Sequence, residues 1–102
     1  MIERRGTDPA VAMLREVRRR VPDAELVVVR QAPWASVTYS GVTLSLEVRS
    51  AAADAVDRLL LDLPEMEWRL PGHLMADVAG MAEPGAAGAI VLRIEALVLE
   101  RD

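Results

Sequence analysis

The chain has 102 residues, a net charge of −4 at pH 7, a composition that is 52% hydrophobic, and no cysteine. A chain of this length makes one domain, and its apolar half is enough for a core that buries roughly 60–65% of the unfolded surface without staples. The missing thiols exclude a disulfide framework, a thiolate nucleophile and a Cys-ligated zinc, while the acidic balance weighs against nucleic acid, because phosphate binding needs a positive field.

Residues 1–7 carry no periodicity and read as a loose arm on a single domain of residues 1–102. No apolar stretch stands behind Met1-Ile2-Glu3-Arg4-Arg5-Gly6, so no secretory signal is expected. No apolar run approaches the roughly 18 residues that would span a bilayer, and a cytoplasmic location is expected. Asp8-Pro9 then reads as a helix start, an N-cap acid followed by Pro at the first helical position. Ala10, Met13, Leu14, Val17 and Val21 recur at helical spacing until Pro22 stops the element. Arg15, Arg18 and Arg19 share a face, with Arg20 beside them. That face could hold phosphate, but in an acidic chain it fits better as a solvated face complementing the helix C-terminal dipole.

Leu26 to Arg30 reads as an apolar strand, and Ala32-Pro33 as the turn after it, since Pro has no N–H for a ladder. Strands over residues 34–40 and 42–49 follow, joined at Tyr39-Ser40-Gly41-Val42, where Gly41 supplies a positive φ. The second of them alternates without error: Val42, Leu44, Leu46 and Val48 point one way, and Thr43, Ser45, Glu47 and Arg49 the other. In the first, Ala35, Val37 and Tyr39 face Leu44 and its neighbours, and Trp34, Ser36 and Thr38 fall on the opposite face. Ser50 caps a second helix over residues 51–63, whose stripe is anchored on Leu59 and Leu60 and which Pro64 ends.

Beyond Pro64 the order repeats. Met66, Trp68 and Leu70 alternate with Glu65, Glu67 and Arg69, predicting a strand with Trp68 against the helices. Pro71-Gly72 is a turn. Residues 73–82 read as a strand with Leu74, Ala76 and Val78 inward and His73, Met75, Asp77 and Met81 outward, although their Ala and Met content also suits a helix. A loop over 83–88 leads into a last strand, 89–100. There Leu97 and Leu99 are out of phase with Ile90, Leu92 and Ile94. That predicts a bulge near Glu95-Ala96, or else a straight strand, apolar on both faces, covered at its end by another chain. The order α-β-β-β-α-β-β-β points to two related units. It predicts an α+β two-layer sandwich, two helices on one face of a mostly antiparallel sheet of about six strands.

Few residues could carry chemistry. His73 is the only imidazole, and along a strand it lies roughly 13 Å from Asp77, too far to share an ion or a proton. As i and i+4 of a helix the two could meet, but two ligands are too few for a metal. The hydroxyls of residues 36–45 are what β-propensity alone produces, and neither a nucleophile elbow nor a phosphate-cradling loop is present. No catalytic residue, metal ligand or cofactor is assigned. What remains is the open sheet face, with Trp34, Ser36, Thr38, His73, Met75 and Asp77 as candidate binding residues. Trp, Met and Arg are enriched at interfaces. The expectation is a non-enzymatic protein-interaction or self-associating module, a homodimer or the partner of another protein, with no membrane or nucleic acid. The alternative is a small-molecule-binding or enzymatic domain with a concave site around Trp34, His73 and Asp77.

Overall fold

The computed structural model describes residues 8–101; the expected arm, residues 1–7, lies outside them. Helix α1 spans Pro9–Arg20, with Pro9 in its first turn and the Ala10 amide donating to Asp8 Oδ1 at 2.9 Å. This is the side-chain cap that an N-terminal Asp supplies. The helix buries Ala10, Ala12, Met13 and Val17. Two of its late arginines are engaged within the chain. Arg18 Nη1 donates to the carbonyls of Pro22 at 3.2 Å and Ala24 at 2.8 Å, and Arg20 pairs with Asp62 at 2.8 Å.

Strands β1 (Glu25–Ala35) and β2 (Ser40–Ser50) form a hairpin, followed by α2 (Ala53–Asp62) and a 3-10 turn at Leu63–Glu65. Strands β3 (His73–Pro84) and β4 (Ile90–Glu100) form a second hairpin. All neighbours are antiparallel and the sheet order is β1-β2-β4-β3. Leu44, Leu46 and Val48 of β2 and Leu92, Ile94, Ala96 and Val98 of β4 pack with Met13 and Val17 of α1 and Val56 and Leu59 of α2 in one core. The described residues thus form an α+β fold of two helices and a four-stranded antiparallel sheet.

The sheet has four strands rather than six, each half being a helix and a hairpin. The two strands expected before Gly41 are one. Pro33 lies inside β1 opposite Val42, where a residue without an N–H is tolerated because β1 is an edge strand. The reversal comes earlier than expected, at residues 36–39. The Ser36 amide donates to the Tyr39 carbonyl at 2.8 Å, and Ser36 Oγ accepts from the amides of Thr38 and Tyr39 at 3.3 and 3.0 Å. Val37, expected inward, is fully exposed in this turn, and Tyr39 is also exposed. Gly41 belongs to the β2–β4 ladder, opposite Leu99, and a Cβ on it would stand 2.0 Å from the Val98 carbonyl oxygen. Close approach of a neighbouring backbone, not turn geometry, explains that glycine.

Residues 65–70 keep their alternation. Met66 and Trp68 are half-buried, Leu70 is buried, and Glu65, Glu67 and Arg69 are exposed, but the segment joins no ladder. Alternation reports which side chains are covered, not whether the backbone pairs. Residues 73–84 are a strand. The last strand is straight: its register with β2 runs unbroken from Gly41↔Leu99 to Ser50↔Ile90. The bulges sit instead in the two edge strands, between Val28 and Arg30 and between Met75 and Asp77. Ser50 Oγ accepts from the Ala52 amide at 2.9 Å and donates to Asp23 Oδ1 at 3.0 Å, so it ties the α2 start to the turn before β1. Leu59 and Val56 are the buried residues of α2; Leu60 is half-buried, and Leu63, in the turn that follows, is buried.

Candidate functional site

The face of the sheet turned away from the helices is set by register. From β2 it takes the alternate residues Gly41 to Arg49, and from β4 those from Val91 to Leu99, their neighbours being in the core. Its middle is polar and internally matched. Glu47 lies 3.6 Å from Arg49 and 3.4 Å from Arg93, and Ser45 Oγ donates to Glu95 Oε1 at 2.6 Å. Cross-strand pairs of this kind satisfy one another and leave little charge for a ligand.

One end of the face is different. Trp34, Gly41, Leu99 and Leu74 lie opposite one another across all four strands, and Ala32 and Leu97 lie next to them. Trp34, Ala32, Leu97 and Leu99 are half-buried and Leu74 is exposed. An indole opposite a glycine covers backbone that a side chain would otherwise shield. The result is an apolar corner on a face whose central strands carry the polar pairs, with Val27 and Met81 exposed on its edge strands. Of the two expectations for the last strand, the bulge that would turn Leu97 and Leu99 inward is absent, and the straight strand puts them on this face.

The candidate residues are divided among three places. Trp34 is on the open face, as expected. Ser36 and Thr38 lie in the hairpin turn, where Ser36 organises the reversal. His73 and Met75 are on the helix side, opposite Glu100 and Val98, and Met75 packs against the core. Asp77 is on the open face, opposite Leu97. The cause is the bulge at Ala76, which inserts one residue and reverses the phase of everything after it.

His73 and Asp77 still border one shared place, the outer edge of β3. A groove of about 410 Å³ runs there between residues 63–68 and the start of β3, with Trp68, His73, Asp77 and Arg101 on its walls. Trp34 is not part of it, standing three strand spacings away, roughly 14 Å. The His73 ring bonds the Pro71 carbonyl through Nδ1 at 3.0 Å, which fixes it to its own turn. Trp68 packs against the core as expected, but its Nε1 is buried with no hydrogen-bond partner among the described residues. Among the described residues no three His, Asp or Glu side chains converge as a metal site would require, and no helix is long and apolar enough to cross a membrane. Comparison with known protein families, with characterised proteins and with solved structures returns no match for this chain.

Proposed function

We propose that this domain is a protein-interaction module whose contact surface is the apolar corner of the open sheet face. The observation that carries the reading is the row Trp34, Gly41, Leu99 and Leu74, continuous across all four strands and lying on the face opposite the helices. A large aromatic in one row with two leucines suits an interface centre, and Glu47, Arg49, Arg93 and Glu95 form the polar rim beside it. The partner is a protein presenting an apolar patch of its own. The role is recognition, not catalysis.

The test is co-purification with the wild-type chain, with Trp34→Ala/Leu74→Glu, and with Arg93→Ala on the polar side as the control. A partner held by wild type and control but lost by the corner variant, with all three melting at similar temperatures, is the expected result. A partner held equally by the corner variant refutes the reading.

A second reading, a small-molecule site, draws on the unpartnered Trp68 Nε1 beside the groove that holds His73 and Asp77. In this version Trp68 replaces Trp34. It is tested by a ligand screen followed through Trp68 fluorescence in a Trp34→Phe background.

A further inference from the structure

The longest run of exposed apolar residues lies outside the corner just described, on the free edge of β1. Val27, Val28 and Val29 are 51%, 36% and 54% exposed, on a strand that, among the described residues, has a neighbour on one side only. Around the edge toward α1 the apolar surface continues. Val11 is 45% exposed, and a cleft of about 310 Å³ is lined by Val11, Leu14 and Leu26, with Arg15 and Arg18 at its rim. Free edges are normally blunted by charge, proline or a bulge, because unpaired N–H and C=O groups recruit other strands. In β1 the bulge at Val29 and Pro33 protect the second half, whereas residues 25–28 have neither. The opposite edge, β3, has a bulge at Ala76, Asp77 beside it, Pro84 at its end, and residues 63–68 alongside.

We infer that two copies of this chain pair antiparallel through the free edges of β1 at Glu25–Arg30, giving a continuous eight-stranded sheet with both pairs of helices on one face. The segment Glu25-Leu26-Val27-Val28-Val29-Arg30 is complementary to its own reverse, with an acid at one end, a base at the other and apolar residues between. A two-fold axis perpendicular to the sheet requires paired residues to share a face. With Val27 on the axis, each Leu26 lies opposite the partner copy's Val28, both on the helix side. Each Glu25 lies opposite the partner copy's Val29 and beside its Arg30. Val11, Leu14, Leu26 and Val28 of both copies then close over one another on the helix side, and on the open face each Val27 gains the partner copy's Val27 as its cross-strand neighbour. Charge complementarity at the two ends of the seam selects a second copy over a foreign strand. The inference does not depend on the function proposed for the Trp34 corner.

Sedimentation equilibrium of the full chain tests it. The expected mass at high micromolar concentration is twice the 11.1 kDa of the monomer. Glu25→Arg and Arg30→Glu alone each bring like charges together twice per dimer and should weaken association about tenfold. An equimolar mixture of the two variants should recover it, since both contacts become acid-to-base again. Val27→Lys should give a monomer that melts at the temperature of dilute, monomeric wild type, because the side chain is half in water in the single chain. Should that variant fold poorly, hydrogen exchange on the wild type supplies the second measurement: β1 amides become protected as concentration rises. A wild-type monomer overturns the proposal, as does a dimer that both single charge swaps leave intact. A dimer abolished only by Trp34→Ala puts the seam on the open face and overturns it too.

Discussion

Replacing Gly41 tests the reading of the sheet at its tightest point. A Cβ on Gly41 would stand 2.0 Å from the Val98 carbonyl oxygen, 2.9 Å from Leu99 Cα and 3.0 Å from the Val98 carbonyl carbon. All three atoms are backbone of β4, so no side chain can rotate out of the way and relief requires the central ladder to open. Two effects compete in Gly41→Ala. Removing glycine from a strand whose backbone accepts alanine stabilises by about 0.5–1 kcal/mol. Overpacking costs about 1–3 kcal/mol, and with the whole contact set against backbone the upper part of that range applies. The net expectation is a loss of about 2 kcal/mol, which for a domain of this size lowers the melting temperature by roughly 8–16 °C. Gly41→Asn sharpens the test, because Asn tolerates positive φ and would rescue a turn glycine, whereas in a closed ladder it adds more atoms to the same space. Thermal and urea melts followed by circular dichroism read both variants. An alanine variant as stable as wild type, or an asparagine variant clearly milder than alanine, would refute the close-approach account.

Leu59→Ala should cost about 2–5 kcal/mol, as for a fully buried leucine, and Leu61→Ala, 75% exposed two residues away, less than about 0.5 kcal/mol; denaturant melts of the pair check which face of α2 is buried. Trp68→Ala should cost about 3 kcal/mol, the low end for a large aromatic, because the residue is half-buried. Trp68→Phe should stay within about 1 kcal/mol of wild type, since the lost packing is offset by removing an indole N–H whose unpartnered burial itself costs about 1–3 kcal/mol. Equal losses in the two Trp68 variants would show that the N–H has a partner in solution.

The parts of this fold carried by local pattern were legible in the sequence. The α1 start followed from Asp8-Pro9, and the α2 stripe from its spacing around Leu59. The 42–49 alternation gave the buried and open sides of β2 residue by residue. What could not be read was pairing. Pro33 and Gly41 are both strong turn signals when only neighbours in sequence are considered. Here Pro33 is tolerated because β1 happens to be an edge, and Gly41 is required because β4 comes close, and both facts belong to the sheet order. Residues 65–70 erred the same way: half of the segment is covered, as a strand's would be, but by contact with the core and not by a ladder. For the site, Trp34 was legible as an open-face residue. Its neighbours in the corner come from β3 and β4, some 40 to 65 residues away, and no local pattern announces them.

Trp34 reaches the open face by a route different from the one its sequence neighbours imply. Counting by twos from Leu26 and Val28, which face the helices, the inward series would continue to residues 30, 32 and 34 and bury the indole. The bulge between Val28 and Arg30 reverses that phase. Gln31 and Pro33 lie opposite Leu44 and Val42 on the helix side, and Arg30, Ala32 and Trp34 are delivered to the open face. The bulge at Ala76 does the same in β3. It holds Met75 and Val78 against the core and turns Asp77, Ala79 and Met81 outward, while Leu74, before the bulge, stays on the open face beside Leu99. Both edge strands therefore carry one inserted residue that changes which side chains each face presents beyond it. The central strands have no such freedom: β2 and β4 are in unbroken register, and their open-face residues follow strictly from alternation. The apolar corner is the place where two leucines fixed by that alternation, Leu97 and Leu99, meet an indole and a leucine positioned relative to a bulge. The core itself is filled from the central strands by Leu44, Leu46, Ile94 and Val98, and the phase set by the β1 bulge decides whether the indole joins them or the open face.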